Sequence, residues 1–406
     1  MNYEAVSHLE HVAQNSTETG TYSSPSPFYT SHTLYRNRKS IQDLKEGKIK
    51  INGQWVHNFS SNDYLGLTQN KIIKKSIIDG IKKYGNGSGA SHLISGHYEV
   101  HDQLENLAAE NLGFDKSILF SSGFSANLGV INALCDRNDV IFSDRLNHAS
   151  LNDAASSSKA KFIRYNHLDL EQLEKILKKS DGRRKLIISD AVFSMDGDLI
   201  DVPALISLCE KYDAYLYIDD AHGYGVLGMN GQGILEHYYP KLCLEPKKKK
   251  RIIYMFTLGK SVGISGAIVV SNKEIIEYLI QKAKTYIYTT ASSPAIARGV
   301  ITSLNIIKEG KSIRKKLLKS INLLRDKIEN KALLGQSITP IQPILINDNS
   351  QTIKLSEKLL ESGFYVPAIR PPTVPIKTSR LRISISALHE CKEIHRLAEI
   401  INLNTK

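Results

Sequence analysis

An α/β fold, with a mostly parallel sheet covered on both faces, is predicted by two features of the chain. Short β-rich runs alternate with amphipathic helical stretches, and the runs are apolar from end to end. The 406 residues also exceed the roughly 250–300 at which a single core stops growing, which predicts two domains. Taken in order, residues 1–35 are polar, rich in Ser and Thr, and carry SPSP at 24–27, the composition of a loosely ordered extension. Strand-like runs follow at SILFSS (117–122), DVIFS (139–143), KLIISDAVF (185–193), AYLYIDD (214–220), RIIYMF (251–256) and GAIVVS (266–271). Helical spacing of apolar residues marks 100–112, 170–179, 202–212 and 273–286. After about residue 300, Lys-rich helices, a few short strands and a last helix over 390–402 read as a smaller α+β domain. The division is therefore 1–57 for an extension and arm, 58–300 for a large domain and 301–406 for a small C-terminal one.

Composition narrows the function classes. A formal net charge of +12 suits an anionic partner, whether nucleic acid, membrane surface, acidic substrate or acidic carrier protein. The basic residues are spread along helical stretches, and RNP-type aromatic runs, zinc-finger spacings and heptads are absent, so nucleic acid is not expected. The cluster at 247–251 resembles an import signal, but it leads directly into a strand-like run and is read as a solvated loop. Cys135, Cys209, Cys243 and Cys391 show neither CxxC nor metal-ligand spacing, so no disulfide framework and no metal site are expected. With no leader-like start and no apolar run near the roughly 20 residues of a span, a cytoplasmic protein without membrane contact is expected. The Asn15-Ser16-Thr17 triplet then has no compartment in which to be glycosylated.

In an open α/β sheet, ligands gather outside the carboxyl ends of the strands, so polar residues there are the first candidates for chemistry. Lys260, in TLGKSVGISGA (257–267), is flanked by small residues and lies downstream of YIDDAHGYG (217–225). An amine in a packed site loses its proton readily and reacts with an aldehyde, which suggests a Schiff-base enzyme using pyridoxal 5′-phosphate. Asp219, near its strand end, is the candidate anion for the pyridine nitrogen. Gly123 in SSGFSAN (121–127) stands where a helix begins and can admit a phosphate; a tight turn without ligand explains it equally well. Thr257 offers a hydroxyl to the same phosphate or caps its strand. His148 could stack on a flat ring or be an ordinary loop histidine. Ser194 and His222 could reach a phenolic oxygen or serve as a turn former and a strand-end cap. Five strand ends with suitable chemistry favour a site over coincidence.

Two glycine-rich stretches compete for attention. Gly223, Gly225 and Gly228 make GxGxxG after a strand, with Glu245 twenty residues past Gly225, imitating a dinucleotide fingerprint. Further glycines in MNGQG, where a phosphate-binding helix should begin, argue against it. GNGSGASHLISG (85–96) misses the spacing at Ala90 and reads as a flexible substrate loop.

With these residues assembled, the chain resembles the α-oxoamine synthases, a fold-type I family of pyridoxal phosphate transferases. The resemblance runs from about Arg36 to the last helix. It is carried by NFSSNDYLGL (58–67), GSGASHLISG (87–96), the His148 and Ser194 segments, DDAHGYGVLG (219–228), TLGKSVGISGA, AIRPPTVP (368–375) and RLRIS (380–384). The single glycine before ISGA, together with AIRPPTVP, resembles the branch that uses alanine rather than the glycine acetyltransferase branch. The resemblance implies a large domain with a mostly parallel seven-stranded sheet, a small α+β domain, and a homodimer. It also implies decarboxylative condensation of L-alanine with a pimeloyl thioester, carried on coenzyme A or acyl carrier protein, in biotin synthesis. Lys260 would bind the cofactor and then move the α-proton, with Asp219 on the ring nitrogen and His148 stacked on the ring. Ser194 and His222 would meet the phenolic oxygen, and Gly123, Phe124 and Thr257 the phosphate. Arg382 would grip the amino acid carboxylate with help from Asn62, while Arg36 and Arg370 match positions near the acyl end. Thr289 and Thr290 would serve the neighbouring subunit. Phe124 stands where an aromatic hydroxyl is also found, and 247–251 replaces a more usual apolar lead. The alternatives are a relative using another amino acid or acyl thioester, and a non-catalytic partner subunit, which tends to lose the lysine present here.

Overall fold

The computed structural model describes residues 38–405. Arg36, the Ser/Thr-rich extension and the Asn15 triplet lie outside the described residues. Near the start, β1 (Asp43–Lys45), β2 (Lys48–Ile51) and β3 (Gln54–Asn58) form an antiparallel meander. The central sheet holds β4 (Lys116–Phe120), β5 (Val140–Asp144), β6 (Lys161–Tyr165), β7 (Lys185–Asp190), β8 (Ala214–Asp219), β9 (Ile252–Thr257) and β10 (Ala267–Ser271). Its order is β4-β10-β9-β8-β7-β5-β6; only β10 runs against its neighbours.

Side-chain alternation along these strands feeds two cores. Leu216, Ile218, Tyr254 and Phe256 enter one, whereas Tyr217, Ile253 and Met255 enter the other with Ala126 and Val130 of the helix Gly123–Leu134. Each fully buried side chain of this kind contributes about 1.5–3 kcal/mol, so a strand apolar on both faces is held from both sides. The same parity puts Asp219 on Tyr217's face, under that helix. All the parallel strands deliver their carboxyl ends to one edge of the sheet. Because β10 is antiparallel, its first residue, Ala267, pairs with both Phe120 and Thr257 there.

The C-terminal third carries β11 (Ile341–Leu345), β12 (Phe364–Tyr365), β13 (Ala368–Ile369) and β14 (Arg380–Ser384), with helices Lys311–Lys327, Asn349–Glu361 and Cys391–Asn404. Strands β11, β14 and β13 form one antiparallel sheet, but β12 pairs in parallel with β3. The N-terminal meander is therefore joined to the far end of the chain. No helix among the described residues is long and apolar enough to cross a membrane.

Three local expectations differ from the structure. The helical stretch 273–286 is two helices, Lys273–Lys282 and Lys284–Ile287, because Ala283 turns to an extended ψ of 102°. The cluster 247–251, expected as a solvated loop, lies partly in one helical turn, Pro246–Lys249, and Lys249 donates to the carbonyl of Gly113 at 2.8 Å. The stretch 85–96, expected as a flexible loop, ends in a π-helical turn, His92–Gly96, with His92 and Gly96 buried. A Cβ on Gly96 would meet the carbonyl oxygen of Ala90 at 2.0 Å, so only glycine closes that turn.

Candidate active site

Lys260 follows β9 in a loop that packs on the segment 58–68. At Gly263, φ is +76° and a Cβ would lie 2.7 Å from the Thr68 backbone nitrogen. Lys260 is half-buried, and desolvation by the surrounding chain pushes its amine down to about 8 against the opposing pull of Asp219 and Asp190. Its Nζ lies 2.7 Å from His222 Nε2. Burial, followed by the positive charge of Lys260 and of Arg382, holds His222 well below the ordinary histidine range, so the ring is neutral. His222 Nδ1 in turn lies 2.7 Å from the Tyr64 hydroxyl, which donates to Asn62 Oδ1 at 3.1 Å. Since Tyr64 gives its one proton to Asn62, His222 carries its proton on Nδ1 and turns a lone pair toward the amine.

Asn62 Oδ1 also accepts from Arg382 Nη2 at 3.2 Å, linking the lysine end of the site to β14. Arg382 is 6% exposed. Its other bonds run from Nε to the Ser194 carbonyl, 2.5 Å, and from Nη1 to Ser384 Oγ, 2.9 Å. Among the described residues no carboxylate pairs with it, whereas its neighbour Arg380 pairs with Asp196. A buried guanidinium held only by neutral acceptors has charge to spare for a carboxylate brought in from outside.

On the opposite side of Lys260, Asp219 is 5% exposed. Its Oδ1 accepts from Ala221 N at 3.0 Å and its Oδ2 from Asn127 Nδ2 at 2.8 Å. Asn127 is fully buried; it also donates to Ser150 Oγ, 2.8 Å, and accepts from the Tyr217 hydroxyl, 2.7 Å. Ser150 then meets His148 Nδ1 at 2.7 Å. His148 begins the helix Ala149–Ser157, its backbone N–H held by Asp190 Oδ2 at 2.6 Å. The residue is exposed, yet the surrounding chain partly desolvates its ring, which pushes it below the ordinary range. Asp190 goes the other way, raised by burial and then by the charge of Asp219.

The helix Gly123–Leu134 opens beside Thr257. Ser122 caps it by accepting from Ser125 N at 3.1 Å, and the preceding amides, Gly123 and Phe124, lie in the first turn where a helix leaves N–H groups for an anion. A Cβ on Gly123 would come 3.8 Å from Thr257 Oγ1, so the glycine widens a gap between helix start and strand end. The Phe124 side chain is 48% exposed. An amine lowered toward neutrality, a buried carboxylate and a helix N-terminus thus line one strand edge, a set that fits an aldehyde-bearing heteroaromatic phosphate.

The other predicted residues fall less centrally. Ser194 lies four residues past β7, and what it gives Arg382 is its carbonyl. Arg370 directly follows β13, and its carbonyl accepts from Thr373 N. Thr289 and Thr290 follow the helix Lys284–Ile287. The GxGxxG glycines serve packing: at Gly225, φ is +84° and a Cβ would meet Ser261 Cβ at 2.6 Å, beside Lys260. Residue-type reasoning passed over Tyr64, Asn127, Ser150, Asp190 and Ser384. Four of them stood inside runs already singled out, Tyr64 in NFSSNDYLGL, Asn127 in SSGFSAN, Asp190 in KLIISDAVF and Ser384 in RLRIS; for Asn127, a polar residue four after a helix-opening glycine was the available signal.

Known proteins give the same outline. The profile of the family "Aminotransferase class I and II" matches residues 55–401. The 8-amino-7-oxononanoate synthase of Nitrosomonas eutropha is 47% identical over 91% of this chain and 95% of its own. Among solved structures, the 8-amino-7-oxononanoate synthase of Francisella tularensis is 33% identical with a TM-score of 0.73, covering 86% of this chain and 97% of its own. The serine palmitoyltransferase of S. paucimobilis, solved with a bound PLP–myriocin aldimine, is 26% identical with a TM-score of 0.84, covering 90% and 92%.

Proposed function

The chain belongs to the aminotransferase class I and II family and, within it, to the α-oxoamine synthases; from that premise we propose that it joins L-alanine to a pimeloyl thioester. The products are 8-amino-7-oxononanoate, carbon dioxide and free thiol, a step of biotin synthesis. What carries this reading is the hydrogen-bonded line from the Lys260 amine through His222, Tyr64 and Asn62 to the unneutralised Arg382. An α-amino acid needs its amine-side chemistry and its carboxylate grip at fixed separation, and that line sets one.

Pyridoxal 5′-phosphate, when bound, supplies the aldehyde and the electron sink for breaking bonds at the amino acid α-carbon. Lys260 would hold it, Asp219 would keep a positive charge on its ring nitrogen, and His148 would cover the ring. Gly123, Phe124 and Thr257 would take the phosphate, with Thr289 and Thr290 of a second subunit in a homodimer. Ser194 and His222 would flank the phenolic oxygen. Arg382 binds the alanine carboxylate with its planar fork, and Asn62 keeps that fork aligned. Lys260, as the neutral amine, would remove the α-proton over a short path, and the lone pair on His222 Nε2 would steady the ammonium so formed. By the resemblance, Arg370 and Arg36 match positions near the acyl end. The acyl group arrives on coenzyme A or on an acyl carrier protein, whose acidic surface suits this basic chain. Free thiols at Cys135, Cys209, Cys243 and Cys391 accord with a reducing cytoplasm.

A thioester panel with alanine as co-substrate tests the reading. Pimeloyl thioesters should release thiol and carbon dioxide, and comparing the two carriers identifies the donor. Turnover of short acyl groups with none of pimeloyl would remove the assignment, and turnover with glycine alone would favour the acetyltransferase branch.

A further inference from the structure

Away from Lys260, three histidines lie side by side. His92 lies in the π-helical turn, His97 follows it, and His101 lies one turn later in the helix Glu99–Leu112. One ligand atom from each lies within 4.8 Å of the others. The ring centroids are 5.0 Å (His92–His97), 5.1 Å (His92–His101) and 5.4 Å (His97–His101) apart. Metal–nitrogen bonds of about 2.0–2.1 Å in tetrahedral geometry put the centroids of three ligating imidazoles roughly 5 Å apart. The rings already stand at that spacing.

Proton assignment follows from the partners. His97 Nε2 lies 3.1 Å from an Asp102 carboxylate oxygen, and His101 Nε2 lies 2.9 Å from the Ser292 carbonyl. Both partners only accept, so both Nε2 atoms carry hydrogen and the Nδ1 atoms of the neutral rings are lone pairs. His92 Nδ1 meets His97 Nδ1 at 2.7 Å, so one proton is shared where two nitrogens face each other. His101 Nδ1 accepts from the Tyr98 backbone N–H at 2.9 Å, a bond that ligation would displace. A carboxylate and a carbonyl on the outer nitrogens are the partners that orient ligating imidazoles in metal sites. His92 is stacked on Tyr286, centroids 4.7 Å apart, so it cannot easily swing away.

We infer that His92, His97 and His101 form a site for a divalent transition metal of the zinc, cobalt or nickel class, with a fourth position open beside the partly exposed His97. The all-nitrogen donor set selects these ions over magnesium and calcium, which need oxygen ligands. A bound ion would pin the turn 92–96 to the helix Glu99–Leu112 and, through His101, to Ser292. The inference does not depend on the proposed reaction.

The test titrates the tag-free, cofactor-loaded full chain with Zn2+ by calorimetry and with Co2+ by visible absorption. The expected result is one ion per chain with the intense visible bands of four-coordinate Co2+, and no comparable response to Mg2+. His97→Gln removes a ligand that is not in the core and should abolish the stoichiometric phase. Asp102→Asn, at an exposed residue, keeps all three ligands and should weaken binding by roughly 10- to 100-fold, the usual effect of losing an orienting partner. Circular dichroism of each metal-free variant checks that it is folded. Absence of one-to-one binding, six-coordinate Co2+ spectra, or binding unchanged in His97→Gln overturns the inference.

Discussion

The two sides of Lys260 are built differently. On the Asp219 side, Asn127, Ser150, Tyr217 and His148 all come from residues 116–219, on the central sheet and the helices covering it, and their buried polar atoms satisfy one another. On the Arg382 side, Asn62 and Arg382 are 320 residues apart in sequence and meet because Ser384 N donates to the Phe59 carbonyl at 2.8 Å and Ala387 N to that of Tyr64, also 2.8 Å. One side is a closed network inside the sheet; the other is a seam between chain ends whose cation pairs with no carboxylate among the described residues. The first suits holding a cofactor in one position, the second exchanging substrate.

Substitutions can break or sharpen that contrast. Lys260→Ala, which removes the group common to both sides, should lower turnover by at least about 10³-fold, measured as thiol release. Retained turnover would place the reactive amine elsewhere. On the seam, Arg382→Lys should raise the KM for alanine by roughly 10- to 100-fold, the loss of a bidentate charged hydrogen bond, while thermal stability changes little. In the closed network the pattern should reverse: Asn127→Ala strands buried partners on Asp219, Tyr217 and Ser150 and should cost about 1–3 kcal/mol of stability, read from denaturant unfolding of the ligand-free chain. If Asn127→Ala left stability unchanged, the two sides would not differ as described. Tyr64→Phe should have the smallest effect, roughly tenfold in kcat, because His222 keeps its place but loses the partner that orients its proton.

A pH measurement isolates Lys260. Its folded-state value, about 8, lies below the ordinary 10.5, so between these values the unfolded chain binds the proton more tightly. This group's contribution to the stability of the ligand-free chain should therefore increase as pH rises from about 8 to 10.5. Below 8 both states are protonated, and the full penalty for burying the charge applies. In the same chain, uptake of pyridoxal phosphate should accelerate as pH rises through about 8, since only the neutral amine attacks the aldehyde. A midpoint near 10.5 would mean that the lysine is not desolvated as described.

Much of this was legible in the residues themselves. Apolar strands alternating with amphipathic helices imply the layered sheet, because a strand buried on both faces admits few polar side chains. Lys260, Asp219, His222 and Thr257 stood out because polar groups at the ends of such strands have to be explained. Tertiary structure alone decided which of them touch. Asn127 reaches Asp219 because strand parity turns that carboxylate toward the helix Gly123–Leu134, and Arg382 meets Asn62 because Ser384 and Ala387 bond to the backbone of Phe59 and Tyr64. Likewise, a histidine at 92 reads as a loop residue until the π-helical turn brings its ring against two others. Local pattern determines which segments are strands, helices and reactive ends, because those depend on near neighbours. Side-chain hydrogen bonds span only about 3 Å, so partners far apart in sequence are chosen by how the packed layers close.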